Sequence, residues 1–431
     1  MGDPGSNSTR HVVRGLGPFA GSSPAAVGGE ARRHRASAAR SISVLSFGLV
    51  ANLVPLMTFA ATLHEIAVAW SLSAAQSGWI GGIYFAGYAV AVPVLASATD
   101  RIDGRRLYIV SAVLGAAASF AFAMWAHSFP VALALRFLGG VGLAGVHMPG
   151  LKLLMDRTEG PAQGRGAAIY TSCYAAGNAG SFLVAGLVNA AFGWRATFVA
   201  AGIGPLLAIC VLAFLPSELA RRTTKRDPLG FRALLRNRAL MAYVVGYAAN
   251  TWEVFAVRVW FVAYLAWTLS LPGNNLLLPP LGLVSGLASL AGVPASLAMA
   301  EIAARYGRRR VIVGICLVSV LVCLGLAATA GGPIAVVLTL LVLVQITSFA
   351  DVGALAGGAI AAADPAQRGA ALALYAFCGF TTGFLSPVAV GTALDWFGGA
   401  ASAMGWMAGF ITIALGSTIA AWAVWYAPAR D

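Results

Sequence analysis

The sequence predicts an all-α integral membrane protein with twelve transmembrane helices in two six-helix halves. The first observation is composition: 59% of the 431 residues are hydrophobic and 10% are charged, proportions that a soluble chain of this length does not have. The second is a series of apolar runs, each long enough to cross a bilayer core. The third is a basic turn that recurs at half the chain length, which indicates an internal duplication.

The apolar runs define the predicted transmembrane helices. They lack the alternation of polar and apolar residues, over about ten positions, that the wall of a β-barrel shows. A helix satisfies its backbone hydrogen bonds internally, as a bilayer core requires, so we expect helices throughout. The twelve predicted spans cover residues 42–63, 77–98, 108–126, 131–154, 167–192, 196–215, 239–265, 276–300, 311–329, 333–361, 371–394 and 400–424.

The basic turn occurs once in each half. The first copy covers residues 100–106 and the second covers residues 301–310, and their glycines, Gly104 and Gly307, are 203 positions apart. Six apolar runs separate the copies, and each copy follows the second span of its half. We predict that the turns act in gating, with enforcement of topology as the alternative. The residues assigned to gating are Asp100, Arg101, Gly104, Arg105, Arg106, Arg305, Gly307 and Arg308.

The positions of the cationic residues predict the orientation in the membrane. All but three of the 28 lysines and arginines lie in the tails, the central loop or connections on the side of the two basic turns. The exceptions are Arg195, in a connection on the other side, and Arg136 and Arg258, within spans. Cationic connections remain in the cytoplasm, so both termini are predicted to be cytoplasmic. The net charge of +13 is therefore expected to meet anionic lipid headgroups and not nucleic acid.

The chain divides into four predicted parts. Residues 1–40 lack the apolar core of a signal peptide and are expected to form a disordered cytoplasmic tail. Residues 41–215 form the N-terminal half, residues 216–238 a cytoplasmic linker and residues 239–426 the C-terminal half. The cysteines and histidines show no disulfide or metal-ligand spacing. Neither a metal nor a cofactor is expected.

Residues 41–426 resemble a transporter of the major facilitator superfamily. The turn at residues 100–106 resembles the family's signature loop between helices 2 and 3, with one extra residue before the glycine; in its second copy, Ala304 replaces the acid. Arg136, followed by spaced glycines in span 4, resembles a second signature that is associated with proton coupling. Residues 175–181 lack the Gly-Pro pair of the antiporter signature, so drug/proton exchange is less favoured.

Four charged residues lie in predicted spans away from the span ends: Arg136, Glu253, Arg258 and Asp351. A charge at the bilayer centre costs about 2.5–3.5 kcal/mol on insertion scales, so each should be paired or face a wet cavity. They lie in spans 4, 7 and 10, and the resemblance implies that these spans, with span 1, line the central cavity. We predict a mutually neutralising network that carries translocation and coupling. The alternative for each residue is a structural anchor between helices.

Span 7 carries a polar stripe. At about 100° per residue, its polar side chains fall within an arc of about 140°, with Glu253 and Arg258 at opposite edges. These two are therefore better placed to bond other helices than each other. Small side chains leave room around Asp351 in span 10. The side chains predicted to line a substrate cavity are Tyr243, Tyr247, Asn250, Thr347 and Ser348.

These observations predict a secondary active transporter of a small organic solute that works by alternating access around a midplane site. Glu253 or Asp351 would bind the coupled proton, because burial opposes the charged carboxylate and a nearby arginine favours it. Two arginines on cavity helices favour an anionic solute. The expected partners are the solute, protons and membrane lipid, and the expected state is a monomer. The direction of transport stays open.

Other functions are weighed against this prediction. Within transport, the alternatives are an uncoupled facilitator and an exporter of toxic compounds. From other classes, they are a membrane enzyme and a transporter-like sensor. No His-Glu-x-x-His pair and no Ser/His/Asp grouping at catalytic spacing supports an enzyme, so no catalytic residue is assigned, and a sensor would need an appended soluble domain. The predicted location is the inner membrane of a bacterium.

Overall fold

The computed structural model describes residues 24–98, 101–215, 231–364 and 367–427, and these ranges are helical between short turns. The helices are α1 Pro24–Asn52, α2 Thr58–Ala69, α3 Ala74–Ala98, α4 Gly104–Trp125, α5 Phe129–Asp156, α6 Pro161–Leu212, α7 Phe231–Arg236, α8 Arg238–Ser270, α9 Leu281–Tyr306, α10 Arg308–Ala328, α11 Ile334–Ala350, α12 Val352–Ala362, α13 Arg368–Trp396 and α14 Ala403–Trp425.

The described helices accommodate the twelve predicted crossings. Ten helical segments are long and apolar enough to cross a bilayer, one of them formed by α11 and α12 together. The 52-residue α6 contains two crossings, because Gly193 has φ 77° and turns the chain between them. The first predicted span, residues 42–63, falls on the end of α1, a break and the start of α2, and α2 is a shorter apolar helix. The prediction of an all-α membrane protein is confirmed.

Two boundaries differ from the sequence prediction. α1 begins at Pro24, so residues 24–40 are helical, whereas the sequence predicts a disordered tail there; alanine and arginine, which are frequent in this segment, are good helix formers. The predicted linker contains α7 and the start of α8. Residues 1–23 and 216–230 lie outside the described part of the chain.

The two halves meet where α2 packs on α8 and along two more extensive helix pairs, α3 with α13 and α6 with α9. Glycines permit close backbone approach at both contacts, as small residues do in membrane helix interfaces. A Cβ added to Gly78 of α3 would overlap the carbonyl of Pro387 in α13, and one added to Gly186 of α6 would overlap the backbone of Gly282 in α9. These positions therefore require glycine for the halves to touch.

The close contact between α6 and α9 lies toward one end of the bundle. We call the end that carries residues 101–106 and 305–310 the basic end, and the opposite end the closed end. Gly186 and Gly282 touch near the closed end. Toward the basic end, Thr171 of α6 is exposed and Leu297 of α9 is 66% exposed. The exposure of these two residues indicates that α6 and α9 diverge toward the basic end.

Asp395 joins the two halves at the closed end. Its two carboxylate oxygens accept hydrogen bonds from the backbone N–H groups of Ala74 and Ala75, at 2.9 and 2.8 Å. These residues begin α3 in the N-terminal half, whereas Asp395 is the last residue but one of α13 in the C-terminal half. A carboxylate is favoured at a helix N-terminus, where N–H groups are free and the helix dipole is positive. The contact thus stabilises the conformer in which this end is shut.

Asp395→Ala is expected to shift the population toward the conformer that is open at the closed end, because the contact exists in one state only. The measurement is the labelling rate of a cysteine introduced at Ala389, using a maleimide applied from that side. Glu65→Ala is the matched control, since Glu65 is bonded to Asn189 of its own half, at 2.5 Å. Equal labelling rates in the two variants would argue against a latch.

Candidate functional site

Arg136 holds a break in span 1. The helix is interrupted at residues 53–57, where Pro55 has no N–H to offer. From α5, Arg136 donates to the carbonyl of Pro55 at 2.9 Å and to that of Leu56 at 3.1 Å. Its guanidinium lies 4.4 Å from the ring centre of Tyr84, a cation–π distance. Arg136 therefore has the geometry of a structural anchor.

Ser181 of α6 supports the same break from the other side. Its hydroxyl accepts a hydrogen bond from the N–H of Met57 at 2.9 Å and donates to the carbonyl of Val54 at 2.6 Å. Non-helical backbone at membrane depth is tolerated where neighbouring helices satisfy its polar groups. Spans 4 and 5 together fix the shape of span 1.

Glu253 lies in the interior of the C-terminal half. Its side chain on α8 is 1% exposed and accepts a hydrogen bond from the hydroxyl of Ser319 on α10. The same hydroxyl lies 2.9 Å from Oγ1 of Thr347 on α11. Glu253 thus points away from the N-terminal half, toward α10.

Asp351 lies in the same interior, at the junction of α11 and α12. It is also 1% exposed. One carboxylate oxygen accepts from Nδ2 of Asn250 at 2.7 Å and the other from Sγ of Cys316 at 3.5 Å. Asn250 also donates to the carbonyl of Ser348 at 2.8 Å. The two carboxylates are within electrostatic range of each other.

The four charges within spans do not form one network in this conformation. No lysine or arginine in the described ranges forms an ion pair with Glu253 or Asp351. Arg136 is engaged with span 1, and Arg258 lies on another face of α8. The predicted mutual neutralisation is thus absent, because the carboxylates and the guanidiniums point to different sides of their helices.

Arg258 is a buried cation without a bonded partner. Its side chain is 4% exposed and its guanidinium lies 5.1 Å from the ring centre of Phe349. It makes no hydrogen bond or ion pair to the part of the chain that the structure describes, and its buried Nε is unpaired. The hydroxyls of Tyr174 and Tyr247 are within electrostatic range. Burying an unpaired charge is costly, so this position is suited to an anionic ligand.

Further unpaired polar groups are linked to Arg258 through Tyr174 and Tyr247. Tyr247 stacks on Tyr375 of α13 with ring centres 3.7 Å apart and planes at 8°. The buried hydroxyls of Tyr375 and of Tyr174 on α6 have no hydrogen-bond partner within the described residues. One turn beyond Tyr174, Asn178 is 1% exposed and equally unpaired. We call Tyr174, Asn178, Tyr247, Arg258 and Tyr375 the central cluster.

His147 is a residue of this region that the sequence analysis did not select. It is buried on α5, its Nδ1 lies 2.7 Å from the hydroxyl of Tyr88, and its ring stacks on Tyr174 at 4.7 Å. It therefore borders the central cluster. The sequence contains a signal that could have identified His147. It follows Arg136 by eleven positions, about three helical turns, so the two residues share one face of α5.

The predicted cavity side chains fall into separate groups. Tyr247 belongs to the central cluster. Asn250, Thr347 and Ser348 surround the carboxylates instead. Tyr243 packs closely over Gly358 of α12. The polar side chains of α8 therefore contribute to two separate groups: Tyr247 belongs to the central cluster, and Asn250 lies beside the carboxylates.

The first basic turn makes contacts within its own half. Asp100 lies outside the described residues, so its role in gating stays a prediction. Asp103 caps α4 by accepting from the N–H of Arg105 at 2.9 Å, two residues into a helix that begins at Gly104. The guanidinium of Arg105 donates to the carbonyl of Leu215 at 3.1 Å. The exposed residues of this turn are Arg101, Ile102 and Arg106.

The second basic turn is also local. Arg305 forms an exposed ion pair with Glu301 at 2.9 Å. Gly307, with φ 95°, ends α9 in a conformation that favours glycine. Arg308 begins α10, and its guanidinium lies beside Gly357 of α12. None of these contacts reaches the N-terminal half.

Arg136→Lys is expected to lower the melting temperature, because an ammonium group lacks the planar fork that serves both carbonyls of the break. A buried carbonyl left unpaired costs about 1–3 kcal/mol. Thermal unfolding of the purified protein in detergent measures the effect. Arg258→Lys is the matched control, since Arg258 has no described hydrogen bond to lose, and equal melting temperatures would contradict the anchor role.

Comparison with known sequences identifies transporters. The model of the Major Facilitator Superfamily matches residues 37–387. The niacin transporter NiaP of Acinetobacter baylyi is 26% identical over 150 residues, 35% of this chain and 34% of the relative. The 3-(3-hydroxy-phenyl)propionate transporter of Escherichia coli is 31% identical over 172 residues, 39% of this chain and 42% of the relative. The matched region thus spans well under half the length of these relatives.

Solved structures share the fold. A bacterial homolog of the human lysosomal transporter Spinster, inward-facing and unoccupied, superposes with a TM-score of 0.76 at 15% identity and covers 91% of this chain and 97% of its own. The nucleoside transporter NupG gives 0.72 at 14% identity, covering 89% and 98%. Together with the twelve crossings in two halves, the family match over residues 37–387 shows that this chain belongs to the major facilitator superfamily of membrane transporters.

Proposed function

We propose that this protein couples the transport of a small organic anion to protons by alternating access. Arg258 carries the proposal, because the residue is 4% exposed and its guanidinium has no hydrogen-bond or ion-pair partner in the described structure. A carboxylate would supply two parallel acceptors to that planar group. Arg258 is also within electrostatic range of Tyr174 of the other half. A bound anion would therefore contact both halves, as a midplane site requires.

Aromatic carboxylates are the proposed solute class. Niacin and 3-(3-hydroxyphenyl)propionate, named for two relatives, both combine an aromatic ring with a carboxyl group. The stacked pair Tyr247 and Tyr375 offers aromatic surfaces on which a ring can pack, and Tyr174 is within electrostatic range of Tyr247. The central cluster thus combines a cation for the carboxylate with tyrosines for the ring.

The pair Glu253 and Asp351 is the proposed proton site. Two carboxylates in a buried interior without a cation oppose each other's ionisation, so a proton is the simplest ligand that stabilises them. Glu253 and Arg258 both lie on α8, on different faces. A movement of α8 on solute binding would therefore change the surroundings of Glu253. This shared helix is the proposed route of coupling.

The basic end is proposed to face the cytoplasm, following the positions of the cationic residues. The conformer would then be inward-facing, with Asp395 closing the outer end and both termini in the cytoplasm. The relatives are bacterial proteins, which supports the inner membrane of a bacterium as the location. We retain a monomer in contact with membrane lipid as the working assembly.

Uptake into proteoliposomes tests the function. We expect radiolabelled 3-(3-hydroxyphenyl)propionate to accumulate above equilibrium when the outside is acidic, and a protonophore to abolish the accumulation. Uptake that only equilibrates, with no response to the pH gradient, would indicate an uncoupled facilitator. The solute class is tested by thermal shift with niacin, benzoate and neutral sugars, since a ligand raises the melting temperature by mass action. A response to the sugars alone would overturn the proposed class.

A further inference from the structure

Asn178 faces the centre of the molecule. Two neighbours on α6 bracket its direction: Ser181 contacts the break in span 1, and the carbonyl of Ala179 approaches Gly286 of α9. At about 100° per residue, Asn178 lies between these two contacts. Leu187, on the opposite face of the helix, is exposed. The amide therefore points between span 1 and α9, away from lipid.

The Asn178 amide differs from the other buried asparagines. Asn52 donates to the carbonyl of Gly48 at 2.8 Å and Asn250 to Asp351 at 2.7 Å. Asn274 donates at 3.1 and 3.0 Å and accepts from a backbone N–H at 2.9 Å. Both polar atoms of Asn178 lack a partner in the described part of the chain. A buried, unpaired amide is destabilising, so a purely structural role does not account for it.

Asn178 is aligned with the rest of the central cluster. It follows Tyr174 by four positions, so the two side chains share one face of α6 and lie one turn apart. The hydroxyl of Tyr174 is within electrostatic range of Arg258. A solute whose carboxylate reaches Arg258 can therefore extend past Tyr174 toward Asn178.

We propose that Asn178 determines specificity by binding a ring hydroxyl at the end of the solute remote from the carboxylate. The inference rests on the proposed function. An amide offers two donor hydrogens and an acceptor oxygen, and a hydroxyl both donates and accepts, so one hydroxyl can satisfy both amide atoms. A site built to hydrogen bond a hydroxyl rejects the analogue that lacks it, because its own buried groups stay unpaired.

The test compares two probes that differ by one hydroxyl: 3-(3-hydroxyphenyl)propionate and 3-phenylpropionate. Their affinities for the full chain in lipid nanodiscs are measured by calorimetry. We expect the hydroxylated probe to bind on the order of tenfold more tightly to the unmodified protein. In Asn178→Leu, this ratio should fall to about one through weaker binding of the hydroxylated probe. Asn189→Leu, on the same helix outside the cluster, is the matched control and should keep the ratio.

The outcomes separate this inference from the function on which it rests. Equal affinities of the unmodified protein for both probes would overturn the role of Asn178 while leaving the solute class intact, as would an unchanged ratio in Asn178→Leu. Binding of neither probe would overturn the solute class and this inference with it. If the leucine variant does not fold, Asn178→Ala removes the same two atoms in a smaller side chain, and the ratio must fall there too.

Discussion

Arg258→Gln is expected to reduce the affinity for aromatic carboxylates by about 100-fold or more, because each hydrogen bond to a charged group contributes about 1.5–3 kcal/mol and a carboxylate would form two with the guanidinium. Glutamine retains a donor but loses the charge and the fork. Calorimetry with 3-(3-hydroxyphenyl)propionate measures the change. The melting temperature of the unliganded protein should change little, since Arg258 makes no hydrogen bond or ion pair in the described structure and only its contact with the Phe349 ring is lost.

Arg258→Lys separates charge from geometry. It keeps a cation but not two parallel donors, so we expect binding between that of the unmodified protein and that of Arg258→Gln. Arg195→Gln is the matched control, because Arg195 is exposed and lies over Trp194. If Arg258→Gln binds the solute as tightly as Arg195→Gln does, the carboxylate is held elsewhere.

Glu253→Gln and Asp351→Asn are expected to abolish uphill accumulation in proteoliposomes, because an amide cannot take up and release the coupled proton. Solute binding should persist, since Arg258 lies on another face of α8. Accumulation driven by a pH gradient and counterflow without a gradient are measured side by side. The expected pattern is counterflow without accumulation.

Glu301→Gln is the control for this pair, because Glu301 is an exposed carboxylate whose partner, Arg305, lies one turn away. It should leave accumulation unchanged. If Glu253→Gln and Asp351→Asn both still concentrate the solute at the expense of the pH gradient, the proposed proton site is wrong. Loss of both accumulation and counterflow would instead indicate that the carboxylates hold the helices together.

Much of the fold could be predicted from the sequence because its signals are local. A bilayer imposes a length and an apolar composition on each crossing, and both can be read from a window of about 20 residues. The turn that contains Gly104 and recurs at Gly307 is also a short local pattern, and its two copies showed where the two halves lie in the chain. The break of span 1 also had a local signal in Pro55, although the apolar run around it reads as continuous.

The candidate site was predictable in its residue types and less so in its groupings. Charge within an apolar run singles out Arg136, Glu253, Arg258 and Asp351 without any structure. Their partners depend on which helix lies beside each face. Asn178 shows the limit, since an asparagine in a span becomes informative only when its neighbours are known and both amide atoms are found unpaired.

The sequence by itself determined that this is a duplicated membrane protein with charged residues in three spans, where a charge is costly to place in the bilayer. It could do so because transfer into a bilayer depends on each segment's own composition. Only the tertiary structure decided that Arg136 holds the break in span 1, that Glu253 and Asp351 share the interior of the C-terminal half, and that Arg258 has no described partner. Hydrogen bonds and ion pairs act over about 3–4 Å. Residues far apart in the chain reach such distances only through the packing of helices, which no local pattern specifies.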